Sequence, residues 1–144
     1  MKNIVYFCMK IIHDNKQLMA QHNETGNWGE EMAARHLCSK GYTIRDRNWR
    51  LGHREIDIVA LSEDMRTLVF VEVKTRLSDE VALPEDAVDR KKIRNIGYVA
   101  NSYIKQNRIM LDTRFDIITV IGKEGDPSPK IEHWEDAFNP MLAY

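Results

Sequence analysis

The stretch from Arg54 to Arg76 constrains the fold of this chain most, because it has the pattern of a β-hairpin. β-Branched residues occupy alternate positions in each arm, and a polar segment, residues 61–66, separates the arms. With the turn centred between residues 64 and 65, symmetric pairing predicts one wholly apolar face of the hairpin. Its pairs are Ile56–Val73, Ile58–Val71 and Ala60–Val69.

The opposite face of the predicted hairpin carries charge. The same register places Asp57 directly opposite Glu72, and Glu55 opposite Lys74. Directly opposed residues have Cβ atoms about 4.5–5.5 Å apart, and like charges in such a pair are destabilising. We therefore expect a compensating feature beside Asp57 and Glu72. It would be a raised pKa on one acid, a nearby ammonium group, or a divalent cation with oxygen ligands.

Two acids and a lysine at one strand edge suit metal-assisted hydrolysis of a phosphodiester. In this hypothesis Asp57 and Glu72 hold a cation that polarises a phosphate oxygen and lowers the pKa of a bound water. Lys74 would steady the attacking water or the developing charge. The alternative is that Glu72 and Lys74 are ordinary solvated charges on a half-exposed strand. The acid at the mirrored position, Asp57, favours the catalytic interpretation.

The composition is that of an ordinary globular domain. The chain has 144 residues, of which 43% are hydrophobic and 30% charged, and its length is typical of a single domain with a substantial core. The formal net charge of −1 provides no global field to attract nucleic acid, so local patches must do so. Two cysteines without metal-ligand spacing, and no apolar run long enough for a bilayer, indicate a cytoplasmic protein without membrane contact.

Residues 1–23 differ from the rest of the chain. An early apolar segment is soon interrupted by lysine, and no small-residue cleavage site follows, so a signal peptide fits poorly. We expect residues 1–23 to form an N-terminal tail, flexible or loosely docked, and residues 24–144 to form the single domain. Translation could start at any of three methionines, Met1, Met9 or Met19.

A first helix is predicted from Asn27, as the N-cap, to about Lys40, with Gly41 ending it. Glu30 lies on the inward stripe of this helix, which consists of Ala33, Ala34 and Leu37. Spacing alone leaves two interpretations of Glu30 open. It is either a capping-box glutamate three residues after Asn27 or a member of an active site.

A strand from Tyr42 to Trp49 is predicted, and several arginines on it and after it could contact phosphates. These are Arg45, Arg47, Arg50 and Arg54. Trp49 could stack on a base or a sugar. Charges on a solvated strand edge that protect against aggregation are an equally common reason for this composition.

A second helix is predicted from Pro84 to about Gln106, after a polar loop. Lys92 falls on its inward stripe, which consists of Val88, Ile96, Val99, Ala100 and Tyr103. A lysine on an apolar stripe normally extends its amine to water, and spacing alone favours this interpretation. At a helix end beside a carboxylate cluster, however, the same amine could reach a phosphate.

The last apolar segments complete the fold prediction. Residues 114–121 are apolar on both faces, which predicts a central strand, and residues 131–134 suggest a short edge strand. The order of helix, three strands, long helix and one or two strands predicts an α/β fold with a central mixed sheet flanked by helices. The long helix would make the crossover between two parallel strands.

Several motifs in this order resemble the YraN-like bacterial proteins of the PD-(D/E)XK nuclease superfamily, near the Holliday junction resolvases. The similarity runs from Gly26 to Phe138. Its marks are Gly26-x-x-Gly29-Glu30-x-x-Ala33, Asn48-x-Arg50, Glu55-Ile56-Asp57, Phe70-Val-Glu72-Val-Lys74-Thr-Arg76, Pro84-x-x-Ala87-Val88-x-x-x-Lys92 and Arg114-Phe115-Asp116. One departure is His53-Arg54, which stands where the family usually has a glycine pair.

The resemblance implies a restriction endonuclease-like core, Mg²⁺ or Mn²⁺ as cofactor, and DNA as substrate. It implies that Asp57 and Glu72 are metal ligands and that Lys74 is the catalytic lysine. Glu30 would be an auxiliary catalytic acid from the first helix, and Lys92 a phosphate contact from the second. A homodimer is one assembly that the resemblance allows, since resolvases act on four-way junctions as twofold dimers.

The functional hypothesis is therefore a metal-dependent nuclease-like domain acting on DNA, with branched or repair intermediates as candidate substrates. Its predicted nucleic-acid contacts are Arg50, Arg54, Arg76 and Lys92. One alternative is a non-catalytic nucleic-acid-binding module of the same fold, in which these cations only neutralise phosphates. A second alternative is a protein-interaction domain whose carboxylate face is salt-bridged.

Overall fold

The computed structural model describes residues 24–78 and 88–142. The tail predicted for residues 1–23 and the helix start predicted at Pro84 lie outside these ranges. The described elements are, in chain order, helix α1 (Glu24–Ser39), strands β1 (Thr43–Leu51), β2 (Arg54–Leu61) and β3 (Thr67–Arg76), helix α2 (Arg90–Gln106), strands β4 (Asp112–Ile121) and β5 (Lys130–Trp134), and a short 3₁₀ helix (Pro140–Leu142).

The strands form one five-stranded mixed sheet in the order β1-β2-β3-β4-β5. Neighbouring strands are antiparallel except β3 and β4, which are parallel and are connected through α2. This confirms the predicted α/β fold with a central mixed sheet, the crossover by the long helix, and the edge position of β5. None of the described helices has the length and apolar character needed to cross a membrane.

The two helices cover opposite faces of the sheet, and each face has its own apolar core. Beneath α1 the fully buried residues are Ala33, Ala34, Leu37, Ile44, Ile58, Ala60, Val69, Val71, Ile118 and Val120. Beneath α2 they are Ile56, Val59, Leu68, Phe70, Ile96, Val99 and Tyr103. Because β2, β3 and β4 contribute to both cores, they are buried on both sides, as expected for central strands.

The ends of the two helices differ from the sequence prediction. Helix α1 begins at Glu24, three residues before the predicted N-cap Asn27, so the capping-box interpretation of Glu30 is wrong. Gly41 ends this helix as predicted, with a backbone φ of +88° that favours glycine. Helix α2 begins at Arg90, because the side chain of Asp89 caps it by accepting a hydrogen bond from the backbone N–H of Lys92.

A buried ionic cluster stabilises the β4–β5 side of the sheet. The carboxylate of Asp116 is fully buried and accepts hydrogen bonds from Nε and a terminal nitrogen of Arg114, at 2.9 and 2.8 Å, and from the backbone N–H of Asp136. Nε2 of His133 lies 2.7 Å from the same carboxylate. Burial alone would raise the pKa of Asp116, but hydrogen bonds from His133 and Arg114 outweigh it and lower the pKa below 3.8.

We expect Asp116→Asn to lower the free energy of unfolding by about 3 kcal/mol at pH 7, because it leaves the partly buried guanidinium of Arg114 without its counter-charge. A lowered pKa stabilises the fold above the ordinary value of 3.8, and this contribution is lost as the pH falls below it. The difference from wild type should therefore shrink in acid. Urea denaturation at pH 7 and pH 3 measures it, with the exposed Asp112→Asn as the matched control. Equal stability of wild type and Asp116→Asn at pH 7 would contradict this account.

Candidate functional site

The two strands of the central hairpin pair over only part of their length. Their ladder runs from Leu61–Leu68 to Ile58–Val71, which confirms the predicted register. Beyond Ile58 the strands part, and the expected ladder pair of Asp57 and Glu72 does not form. Instead, the backbone N–H of Val73 donates a 2.8 Å hydrogen bond to Oδ2 of Asp57. The side chain of Asp57 thus takes the place of a backbone acceptor. We call the space between the β2 and β3 segments that follow the end of their ladder the cleft.

A local change of strand direction explains why Asp57 faces this cleft. Asn48, on the neighbouring strand β1, has a left-handed backbone with a φ of 50° and lies between the pairs Arg47–Ile58 and Trp49–Ile56. Side chains two residues apart normally share a face. Here Ile58 packs beneath α1, whereas Ile56 packs beneath α2. The prediction that Ile56 shares the apolar face with Ile58 is therefore wrong.

Three carboxylates converge in this cleft from two elements. Glu30 on α1, and Glu55 and Asp57 on β2, each present an oxygen within 4.8 Å of the others. Glu55 does not pair with Lys74, as the symmetric hairpin predicted, because the β2–β3 ladder ends at Ile58–Val71. On the other side of β2, Glu55 lies opposite Arg50 in the β1–β2 ladder. The Nε of Arg50 lies 2.7 Å from its carboxylate.

Glu30 reaches the cleft because α1 packs unusually close to β3. A Cβ atom at Gly29 would overlap the hydroxyl oxygen of Thr75, so only glycine allows this approach. Gly26, one turn earlier on α1, has open space around it. The close approach therefore depends on Gly29, the residue directly before Glu30.

Glu72 completes the site from β3, and it is only 3% exposed. Two ammonium groups lie beside its Oε1: the Nζ of Lys92 at 3.2 Å and the Nζ of Lys74 at 3.8 Å. Lys92 is thus brought from α2 to the carboxylates and does not simply extend to water. The carboxyls of Glu72 and Asp57 are close enough to share a hydrogen bond.

The electrostatics of the cleft favour proton or cation binding. Burial raises the pKa of Glu72 to about 8, with a further contribution from Asp57, although Lys92 and Lys74 oppose the shift. Burial also raises the pKa of Glu30 to about 7, again with a contribution from Asp57. The pKa of Asp57 itself is raised by burial, despite the hydrogen bond from Val73. Acids with strongly raised pKa values in a cleft are typical of functional sites.

The same residues fit a divalent cation. Oε2 of Glu30 and Oε2 of Glu72 are buried, and no hydrogen-bond donor from the described part of the chain reaches either atom. A buried carboxylate oxygen without a donor is costly unless a proton or a cation satisfies it. A donor set made only of oxygen atoms suits hard cations such as Mg²⁺ and Mn²⁺.

The three arginines predicted to contact DNA differ in their exposure and in their contacts. Arg54 is held against α2, where its Nε donates to Oδ1 of Asn95 at 3.1 Å and its guanidinium lies 5.1 Å from the centre of the Tyr98 ring. Arg50 is largely exposed beside Glu55, and Arg76 is half-buried at the end of β3. Each of these side chains is therefore at least partly exposed.

Two other residues considered for DNA contact serve the core. The side chain of Arg47 is only 4% exposed and forms an ion pair with Glu31 on α1 at 3.1 Å. Trp49 packs edge-on against Tyr103 beneath α2, with ring centres 5.2 Å apart. The burial of Arg47 argues against a phosphate contact, whereas Trp49 is only partly buried, so its predicted contact with a base stays a prediction.

Comparison with known proteins identifies the family. The model of the family described as "Uncharacterised protein family UPF0102" matches residues 29–120. The chain belongs to the UPF0102 family. A UPF0102 protein of Bacteroides thetaiotaomicron is 50% identical over 124 residues, which cover 86% of this chain and 99% of the relative. A UPF0102 protein of Porphyromonas gingivalis is 46% identical over 124 residues, covering 86% and 90%. One of Flavobacterium psychrophilum is 43% identical over 120 residues, covering 83% and 98%.

The UPF0102 match confirms the YraN-like resemblance and includes the whole acidic cleft. The four acids and two lysines of the cleft all fall within the matched segment, residues 29–120: Glu30, Glu55, Asp57, Glu72, Lys74 and Lys92. The names of these UPF0102 relatives state family membership and no activity. The chemistry of the cleft must therefore be argued from its geometry.

Sequence reasoning did not include Glu55 and Asn48 in the site. Glu55 was visible as a neighbour of Asp57 on the predicted charged face, but the symmetric register assigned it to Lys74. Asn48 enters the sequence argument only as part of the motif Asn48-x-Arg50. Asparagine is one of the few residues that tolerates a left-handed backbone, and this was the available signal for a kink in β1.

We expect Gly29→Ala to destabilise the protein by about 1–3 kcal/mol, because the added methyl group forces α1 away from β3. Thr75→Ala removes the overlapping hydroxyl, so the double variant should recover most of this loss. Gly26→Ala, in open space on the same helix, is the control and should be neutral or slightly stabilising. Urea denaturation measures all four proteins, and a Gly29→Ala protein as stable as Gly26→Ala would contradict the close approach.

We expect the metal-free protein to lose stability as the pH rises from about 5 to 8. Glu30 and Glu72 bind their protons more tightly in the folded state, with pKa values of about 7 and 8, than at the ordinary value of 4.5. The free energy of unfolding should therefore fall across this window. Glu72→Gln should flatten the decline, whereas the exposed Glu63→Gln should keep it. Urea denaturation in EDTA measures the slope, and an unchanged slope in Glu72→Gln would refute the assignment.

Proposed function

We propose that this UPF0102 chain is a metal-dependent nuclease that hydrolyses phosphodiester bonds of DNA. The observation that supports it most directly is the meeting of Asp57 and Glu72 where β2 and β3 part, between two further acids and two lysines. The hairpin keeps these groups buried and near one another although their charges repel. Keeping carboxylates that repel one another buried and close together is unfavourable for folding. Such an arrangement is typical of a site that binds a cation or a proton.

Asp57 is the residue best placed to hold the cation. It belongs to the carboxylate group with Glu30 and Glu55, and its carboxyl also contacts Glu72. The hydrogen bond from the backbone N–H of Val73 to Oδ2 fixes the orientation of the Asp57 carboxylate. When bound, Mg²⁺ or Mn²⁺ would supply Lewis-acid polarisation of a phosphate oxygen and a water of lowered pKa.

The amines of Lys74 and Lys92 would contact the phosphate in the cleft directly. Both amines lie beside Oε1 of Glu72 and both side chains are more than one third exposed, at 37% and 38%. Each can therefore contact a phosphate in the cleft and still remain near the carboxylate. Lys74 is on the same strand as Glu72, so it is the better candidate to orient a water and to stabilise charge that develops on the phosphate. Lys92 would position the phosphate.

DNA binding would depend on local charge, since the net charge of the chain is −1. Arg54 and Lys92 lie on the α2 side of the cleft, and Arg50 lies beside Glu55 on the other side. Arginine recognises phosphate with a planar pair of donors, and the contacts to Asn95 and Tyr98 hold the guanidinium of Arg54 in place. Binding through a few such cations should weaken as salt increases.

Cleavage of DNA in the presence and absence of metal tests the proposal. Duplex, flap and four-way DNA are incubated with the protein in Mn²⁺, in Mg²⁺ and in EDTA. Cleavage should require the metal and should fall by at least about 100-fold in Asp57→Asn and in Glu72→Gln, while DNA affinity in EDTA is largely kept. Glu63→Gln, in the turn at the far end of the hairpin, is the matched control and should cleave normally.

The outcomes separate the three functional hypotheses. If the protein binds DNA with salt-sensitive affinity but cuts it with neither metal, the nuclease hypothesis is wrong and a nucleic-acid-binding module of the same fold is favoured. Failure to bind any of these DNAs would support an interaction domain for proteins. Isothermal titration with Mn²⁺ gives an independent readout, because binding should be lost in Asp57→Asn and should release protons near pH 7.

A further inference from the structure

Helix α2 also carries a second feature that the proposed chemistry does not use. Asn95 and Tyr98 follow Lys92 at successive intervals of three residues, so they are neighbours along the helix surface. Arg54 contacts both of them, through its hydrogen bond to Asn95 and its position over the Tyr98 ring. These contacts connect the cleft to an exposed aromatic side chain, since Tyr98 is 46% exposed.

Tyr98 also lines a groove of about 350 Å³ between α2, the start of β4 and the 3₁₀ helix. This volume lies within the range of small-ligand sites. Gly97 lets the 3₁₀ helix pack against α2 at one end of the groove. A Cβ atom at this position would lie 2.8 Å from Cβ of Pro140 and would push the 3₁₀ helix away. The lining includes Tyr98, Asn101, Ile104, Thr113, Phe115 and Met141.

The lining has the chemistry that a nucleobase requires. Tyr98 offers an exposed aromatic ring, and Phe115, Ile104 and Met141 add apolar contacts, which suit the flat faces of a base. The amide of Asn101 and the hydroxyl of Thr113 can donate and accept hydrogen bonds at the edge of a base. A purely aliphatic ligand would leave these polar groups unpaired on binding.

The spacing along α2 relates the groove to the phosphate site. Tyr98 follows Lys92 by six residues, which corresponds to about 9 Å along the helix axis and about a third of a turn around it. Successive phosphates of one strand of B-form DNA advance about 3.4 Å, so the axial rise alone spans roughly three stacked nucleotides. A strand whose phosphate contacts Lys92 would therefore have to curve around α2, past Arg54, to place a base a few nucleotides away at Tyr98.

We propose that this groove binds an unpaired DNA base a few nucleotides from the phosphate in the cleft, so that the substrate carries a single-stranded segment. The inference rests on the proposed function, which defines where the strand passes. A base inside a duplex has its faces stacked and its edge paired, and it cannot enter such a groove without leaving the helix. DNA with a single-stranded segment provides the base without this cost.

Equilibrium binding in EDTA tests the inference separately from cleavage. Fluorescence anisotropy compares three DNAs of equal length: a single strand, a duplex, and a single strand with abasic positions in place of bases. The single strand should bind more tightly than the other two. Tyr98→Ala should weaken single-strand binding about tenfold and leave duplex binding nearly unchanged, whereas Tyr98→Phe should keep most of the affinity.

Control variants and a local probe make the result specific. Trp134→Ala removes a partly exposed aromatic side chain from β5, at the far edge of the sheet, and should not change DNA binding. Asn101→Leu keeps the size of the side chain but removes the hydrogen bonds, and should weaken single-strand binding alone. 2-Aminopurine in the single strand should change its fluorescence on binding to wild type and not on binding to Tyr98→Ala.

Three results would overturn the inference. Equal weakening of single-strand and duplex binding in Tyr98→Ala, or undiminished binding of the abasic strand, would show that the groove does not take a base. An unchanged DNA affinity in Tyr98→Ala would show the same, and an accompanying change from dimer to monomer would make the groove an interface between two copies of the chain. In each case metal-dependent cleavage that is lost in Asp57→Asn would remain, so the nuclease proposal would stand.

Discussion

The hydrogen bond from the Val73 N–H to the Asp57 carboxylate is the interaction on which the cleft depends. An antiparallel ladder that continued past Ile58 would satisfy this N–H with a backbone carbonyl and would close the space between β2 and β3. Because a side chain accepts it instead, the strands can part without leaving a buried donor unpaired. The opening this creates is where Glu72 and Lys74 meet the acids of β2 and α1.

The site is assembled by close packing as much as by charge. The left-handed backbone of Asn48 marks where β1 and β2 exchange the faces they present to the two helices, and the missing side chain of Gly29 brings α1 near enough for Glu30 to reach Asp57. Neither feature carries charge itself. Each fixes the position of a carboxylate from a different element, so small changes in packing would alter the distances between acids that repel one another.

The alternating pattern of the hairpin was sufficient to predict the β2–β3 register, the mixed sheet and the crossover helix, because each follows from periodicity and connection length. The pairing of Glu55 with Lys74 and the common face of Ile56 and Ile58 were wrong because both assumed that β2 continues regularly past Ile58. The β2–β3 ladder ends at Ile58, and Ile56 packs on the other face of the sheet, beside the left-handed Asn48 of β1. The start of α2 was also misplaced, because the cap at Asp89 competes with a proline signal five residues earlier. Kinks and caps depend on local backbone geometry that periodicity does not encode.

Two buried acids in neighbouring strands show how structural and functional carboxylates differ. Asp116 on β4 lies opposite Val71, the residue before Glu72 on β3, so the two acids are close in the sheet and both are almost fully buried. Donors from Arg114, His133 and a backbone N–H surround Asp116, and its pKa is lowered. Lys92 and Lys74 approach only Oε1 of Glu72, which lies beside another acid, and its pKa is raised to about 8. No donor from the described part of the chain reaches Oε2. That oxygen is therefore the atom left for a proton or a cation to satisfy.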